Sequence, residues 1–177
     1  SEFAQGEEWN STAVLDWYVL QYPFHQGIQQ LVRTLNGLHR TEVPLHAVDF
    51  ESHGFEWIDC HDAHNSVLVY QRRAPAAVAD TGGEDHMVVA LNFTPVPRAG
   101  YRIGTPAAGP YREIFNSDAT EFGGSGMSNG SEPIATETVD WMNRPNSLVL
   151  TLPPLAGIIL KPAALRKGPD TATEADR

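Results

Sequence analysis

Three places in this sequence hold residue types that could do chemistry. Glu7 and Glu8, with Glu2 close by, supply carboxyl groups of the kind that cleave glycosidic bonds. Retaining glycoside chemistry needs two carboxyl groups about 5–5.5 Å apart across the scissile bond. Adjacent residues on an irregular segment do not straddle a bond in that way, so the expected reading of this pair is a solvated acidic surface. A lesser role is open to Glu2, Gln5 and Trp9, which could touch a sugar held by other groups. An indole suits that role, since it offers a flat apolar face and a single donor. Trp9 could equally pack into a seam against another domain.

His61-Asp62-Ala63-His64 sets two imidazoles beside a carboxylate. A metal centre asks for three or four converging ligands with partners behind them. In a turn between strands, Asp and Asn instead satisfy backbone N–H groups, and the turn is the expected reading. Cys60 is the single cysteine. His61 would lie on the other face of a continuing strand, so Cys60 reads as a small apolar residue and not as a nucleophile. Trp57, Tyr70, Phe93, Tyr101, Tyr111 and Phe115 could form a carbohydrate platform. Most of them alternate with polar neighbours, which points to core burial. No phosphate loop, dinucleotide fingerprint or serine elbow occurs, and neither cofactor nor metal is expected.

The elements that must position these groups follow from periodicity. Residues 1–22 are irregular and aromatic, and Leu15, Trp17, Val19 and Leu20 need a surface to pack against. Phe24 to Arg40 is a helix with Phe24, Ile28, Leu31, Val32, Leu35 and Leu38 at helical spacing on one face. Pro23 suits its first turn and Pro44 lies beyond its end. Gly37 in its interior marks either close packing or a tolerated cost of about 1 kcal/mol.

From Phe55 the pattern alternates. Strands are expected at 55–60, 66–73 and 86–93, the last central because it is apolar on both faces. Residues 74–85 read as a flexible hairpin loop. In Asn92-Phe93-Thr94-Pro95-Val96-Pro97-Arg98 two prolines forbid a central strand, so the chain turns an extended corner and the next strand starts at Tyr101. Tyr111 to Asp118 alternates again, and the glycines and serines of 123–130 suggest a long mobile loop. The last strands are Ser147–Leu152 and Ala156–Leu160, with Pro153-Pro154 between them. Many short strands separated by turn chemistry make a mainly β fold, an antiparallel β-sandwich, preceded by a helical segment. The polar stretch 163–177 is expected to be disordered.

The chain has 177 residues and a formal net charge of −10. The length suits one domain, or one domain with an appendage. The acidity argues against a grip on nucleic acid or adhesion to anionic membranes, while a neutral sugar polymer is indifferent to it. No apolar run is long enough to span a bilayer. One cysteine permits no internal disulfide, which fits a reducing compartment such as the cytoplasm. Ser1-Glu2-Phe3 reads as the interior of a longer sequence, with no start methionine and no signal pattern.

Asn92-Phe93-Thr94-Pro95-Val96-Pro97-Arg98 followed by Tyr101-Arg102-Ile103-Gly104 resembles the C-terminal region of bacterial glycogen branching enzymes, the 1,4-α-glucan branching enzymes of the α-amylase superfamily. Ser1-Glu2-Phe3-Ala4-Gln5 with Glu8-Trp9-Asn10 looks like the segment after the eighth barrel strand. Leu15-Asp16-Trp17, Tyr22-Pro23 and Leu31-Val32-Arg33-Thr34-Leu35-Asn36 look like the last barrel helix and its approach. Gly54-Phe55-Glu56-Trp57-Ile58, Tyr111 to Asp118 and Leu150 to Ala156 complete the pattern, which runs to about Pro162.

The resemblance implies an α-amylase-type C-terminal β-domain over 51–162, with residues 1–50 left from the end of a (β/α)8 barrel. It implies an enzyme that cuts α-1,4-glucan and rejoins the cut end as an α-1,6 branch through a covalent glycosyl-enzyme. The catalytic carboxylates belong to earlier barrel strands, so no catalytic residue is assigned here. Glu2, Gln5 and Trp9 match positions near the barrel mouth and are the candidate contacts to α-glucan. The implied partners are that glucan and the missing catalytic barrel. Two rivals come from other classes: a separate carbohydrate-binding module, and a purely structural domain stable only when docked.

Overall fold

A computed structural model describes residues 2–8, 10–79 and 85–163. Trp9, residues 80–84 of the expected hairpin loop and the tail from 164 lie outside the described residues. A short 3-10 helix, Trp17–Gln21, leads into helix α1, Pro23–Thr41. Pro23 sits in the first turn, where its missing N–H would have had no partner. Glu42 leaves helical geometry at the other end and returns its N–H to the Leu38 carbonyl.

Among the described residues eight strands follow: β1 (Phe55–Asp59), β2 (Val67–Ala74), β3 (Asp85–Asn92), β4 (Arg98–Thr105), β5 (Pro110–Asn116), β6 (Ile134–Ala135), β7 (Asn146–Leu152) and β8 (Ala156–Pro162). They form a six-stranded sheet of order β1-β2-β3-β8-β5-β6 and a two-stranded sheet of β4 and β7. Every pairing is antiparallel.

The two sheets close over one core, with Ile58, Val69, Val88 and Ile158 of the large sheet meeting Ile103, Leu148 and Leu150 of the small one. The other face of the large sheet carries Met87, Val89, Phe115 and Ile159, against which Leu31 and Leu38 of α1 pack. The architecture is therefore helix on sheet on sheet. Strand β3 serves both layers: Val88 and Ala90 point into the sandwich, Met87 and Val89 toward the helix. That double duty is why its sequence is apolar without alternation. Each large apolar side chain so buried is worth roughly 1.5–3 kcal/mol.

The chain changes sheets four times, at β3 to β4, β4 to β5, β6 to β7 and β7 to β8; the first crossing runs through Pro95 and Pro97 and the last through Pro153 and Pro154. The last two strands are thus not a hairpin within one sheet. The strand after the first corner starts at Arg98, three residues before the expected Tyr101, and its register slips between these two residues. Phe93, on the corner, is exposed.

Helix α1 departs from the expected single apolar face. Gly27 is its buried residue, so close to the 3-10 helix Thr120–Phe122 that an added Cβ would stand 2.6 Å from the Phe122 carbonyl oxygen. Gly37 has nothing within 4 Å and is the tolerated glycine. The contact stripe runs through Gly27, Leu31 and Leu38, and Phe24 remains 74 % exposed.

The Gly/Ser stretch after Phe122 is a loop, as expected, but a tethered one. Asp118 accepts from the Ser125 N–H (2.9 Å), the Ser125 hydroxyl (2.5 Å) and the Met127 N–H (3.1 Å). Asn116 and Asn129 extend the tether, donating to the Met127 and Thr151 carbonyls. Burial works to raise the Asp118 carboxyl, yet the Ser125 and Met127 bonds outweigh it and hold it below its ordinary 3.8.

Candidate functional site

The N-terminal candidates do not converge. Phe3 is buried and stacks on Trp17 with ring centroids 5.0 Å apart, and its carbonyl accepts from His25 Nδ1 at 2.9 Å. That anchor turns Gln5 inward, where its Oε1 accepts from the Asp16 N–H at 3.2 Å. Gln5 joins Glu7, Glu8, Asn10, Leu15 and Asp16 around a shallow concavity of about 370 Å³. Glu2 is exposed and not part of that wall, and Trp9 lies outside the described residues. Glu7 and Glu8 are exposed, as expected of a solvated acidic surface.

Beside this concavity, Val14, Leu15, Trp17, Tyr18, Tyr22 and Phe24 are all exposed. Val19 alone among the expected packing residues of that segment is buried.

The His61–His64 cluster is a turn whose carboxylate is committed. Asp62 accepts from the Asn65 N–H at 3.0 Å, from Asn65 Nδ2 at 2.8 Å and from the Tyr101 hydroxyl at 2.6 Å. Burial works to raise Asp62, but these bonds prevail and lower it, while burial and the same carboxylate push the Tyr101 phenol well above 10. His61 and His64 are exposed. Cys60 is exposed too, one residue past the end of β1, with its sulfur 3.9 Å from His61 Nδ1. The expected opposition of these two neighbours fails because the strand has already ended.

The aromatic set divides. Tyr111 and Phe115 are core residues, whereas Trp57 is exposed at the sheet edge, packed edge-on against Phe55 and Tyr70 with centroids 5.0 and 5.9 Å away.

Trp141 carried no signal in the sequence, since it stands outside every alternating run. It begins a two-residue hairpin closed by reciprocal bonds with Arg144, each 2.9 Å, and the residue is 48 % exposed. Met142 and Asn143 hold φ of 51° and 57°, the left-handed pair that such a tight turn demands. Asn tolerates this region; Met does so at a cost of order 1–3 kcal/mol that the surroundings must offset.

The surroundings are visible. Arg144 donates to Glu56 of β1 at 2.5 Å, and Gln71 and Arg73 converge on the same carboxylate. Burial opposes the Glu56 charge, but Arg144, Gln71 and Arg73 win and keep its carboxyl below 4.5. From behind, Gly104 lets the turn approach so closely that a Cβ there would sit 2.5 Å from the Trp141 carbonyl oxygen. Trp141 and Met142 thereby form one wall of a concavity of about 580 Å³, completed by Asp59, Asp62, Asn65, Gly100, Tyr101 and Arg102.

Residues 57–163 match the family described as alpha amylase, C-terminal all-beta domain. The chain belongs to this family. It is also 52 % identical over 160 residues to the 1,4-alpha-glucan branching enzyme GlgB of Nitrosococcus oceani, covering 90 % of this chain and 20 % of that protein. With the enzyme of the same name from Methylococcus capsulatus it shares 52 % identity over 175 residues, 99 % of this chain and 22 % of the relative. The chain is thus homologous to the C-terminal region of these branching enzymes and spans about a fifth of their length. The crystal structure of an alpha-amylase from H. orenii matches with a TM-score of 0.42 and 19 % identity, covering 77 % of this chain and 20 % of that one. The resemblance in the corner and strand motifs is borne out as to family, and the mainly antiparallel β fold with one helix agrees with it. No helix among the described residues is long and apolar enough to cross a membrane.

Proposed function

We propose that this chain is the C-terminal part of a cytoplasmic 1,4-α-glucan branching enzyme, which moves α-1,4-linked segments of glycogen or amylose onto α-1,6 branch points. The observation that carries the reading is 52 % identity to a branching enzyme across 99 % of the chain, including the irregular N-terminal segment ahead of the β-domain. Residues 51–162 are the β-domain and residues 1–50 the end of a catalytic (β/α)8 barrel in this reading. The exposed apolar series Val14, Leu15, Trp17, Tyr18 and Phe24 supports a docked arrangement, because so much apolar surface at one end needs a cover. The occupant is the catalytic barrel of the same polypeptide, in a protein about five times this length, as the relatives are. Glu2, Gln5 and Trp9 then lie near the barrel mouth as contacts to glucan, and the catalytic carboxylates come from the barrel strands.

The role of this chain is to brace the barrel, and by itself it transfers no glucan. Incubation of the isolated chain with amylose should leave the iodine spectrum and the chain-length profile after debranching unchanged; any transfer above a blank overturns the assignment of catalysis to the barrel.

A further inference from the structure

We propose that the concavity between the Trp141 hairpin and the Asp59–Asn65 turn is a surface binding site for α-glucan, separate from any catalytic centre. The choice of glucan rests on the reading above; the existence of a sugar site rests on the geometry.

Trp141 is the first observation. A half-exposed tryptophan is ordinary on a surface, but this one is held by a turn with two non-glycine residues in the left-handed region. Backbone of that kind persists only where its surroundings over-determine it, and it gathers at ligand clamps. Here Glu56 locks the turn through Arg144, and Gly104 supplies the flat seat beneath it. The backbone that carries the indole is therefore set before any ligand arrives, which lowers the ordering cost of binding.

The facing wall is the second observation. Asp59 uses Oδ1 for the His61 N–H at 2.9 Å, and among the described residues Oδ2 carries no hydrogen bond. Asn65 spends its Nδ2 on Asp62, leaving Oδ1 as an acceptor. Tyr101 gives its proton to Asp62 and so can only accept. Arg102 pairs with Glu137 at 2.7 Å and donates to Ser147 Oγ at 2.8 Å, and its remaining N–H groups are further donors. The wall thus offers acceptors at Asp59, Asn65 and Tyr101 beside donors at Arg102. It suits a ligand that brings both donors and acceptors of its own. The two carboxylates disfavour an anion. Saturation of Asp62 by Tyr101 and Asn65 weakens the claim of a cation. A neutral polyhydroxylated ring meets both requirements: its apolar face stacks on the indole and its edge hydroxyls donate to Asp59 and Asn65. At about 580 Å³ the concavity falls within the range of roughly 300–1,000 Å³ usual for small-ligand sites.

The test uses the unmodified sequence labelled with 5-fluorotryptophan, whose four tryptophans give four fluorine resonances. Each is assigned by a single Trp→Phe replacement. Titration with maltoheptaose should move the Trp141 resonance and leave those of Trp17 and Trp57 in place, while cellohexaose should leave all four. In glycogen-containing native gels, Trp141→Ala should weaken retardation roughly tenfold and Trp141→Phe should keep most of it. A stationary Trp141 resonance at saturating maltoheptaose overturns the site. If another tryptophan moves instead, the site fails while the glucan reading of the protein stands. If cellohexaose alone moves Trp141, the α-glucan assignment fails at this site. Because the resonances are read on the native side chains, misfolding of a variant does not decide the outcome.

Discussion

The side-chain amide of Asn92 donates to the Pro153 carbonyl at 2.9 Å across 61 residues of sequence, and to the Val96 carbonyl, also at 2.9 Å. One buried residue thus ties together the first and the last of the crossings between the sheets, the Pro95–Pro97 and Pro153–Pro154 corners. Its Oδ1 accepts from the Thr94 N–H and hydroxyl, and Leu155 reinforces the seam by donating its N–H to the Thr94 carbonyl at 2.8 Å. Asn92→Asp keeps the shape but turns an acceptor toward two carbonyls. It should cost about 2–4 kcal/mol in urea unfolding, from the orphaned carbonyl groups and the lost bonds. A loss below about 1 kcal/mol would show that the corners hold without this bridge.

The two helix glycines should respond in opposite senses. Gly27→Ala drives a methyl against the Phe122 backbone and should lower stability by about 1–3 kcal/mol. Gly37→Ala meets open space and should raise it by up to about 1 kcal/mol through helix propensity. Thermal melts of the two variants, compared with the parent, check both signs.

Asp118 makes the tethered loop sensitive to acid. Its folded carboxyl lies below the ordinary value of 3.8, so the tether contributes fully above that value. The contribution declines as pH falls below 3.8 and vanishes below the folded value. Asp118→Asn should be less stable at pH 7 by about 1–3 kcal/mol, and the gap should close as the pH is lowered. Melting temperature measured against pH for the two proteins reads this directly; a constant gap from pH 7 to 2.5 would contradict it.

The exposed series before and at the start of α1 predicts behaviour in isolation. The chain should bind a hydrophobic dye strongly, and Leu15→Gln with Phe24→Gln should reduce that signal while shifting stability by no more than about 0.5 kcal/mol. If the dye signal survives the double replacement, the apolar surface lies elsewhere.

Much of this fold is written in local pattern. The helix from Pro23, the strands at 55, 67, 85, 110, 146 and 156, and the turn at 61–65 all follow from periodicity and turn chemistry within a few residues. What local pattern could not convey is which partner each element meets. The apolar stripe of α1 gave no hint that Gly27, not Gly37, is pressed against Phe122. The loop at 123–130 looked unrestrained because its tethers, Asn116 and Asp118, lie upstream, at and just beyond the end of β5. Trp141 escaped notice for the same reason: its hairpin is stabilised by Glu56, 88 residues before Arg144 in sequence, and by a glycine on β4. The N-terminal candidates show the reverse. Gln5 does reach a concavity, but Glu2 stands apart from it, because buried Phe3 between them separates their directions.

If this chain completes a branching enzyme, it should function in place of a relative's own C-terminal region. Replacing the matching segment of the Methylococcus capsulatus enzyme, 52 % identical over 175 residues, with this chain leaves that relative's remaining sequence intact. The chimera should convert amylose to a product with a blue-shifted iodine spectrum and short chains on debranching. A folded chimera that leaves amylose unbranched, beside an active parent, would contradict it.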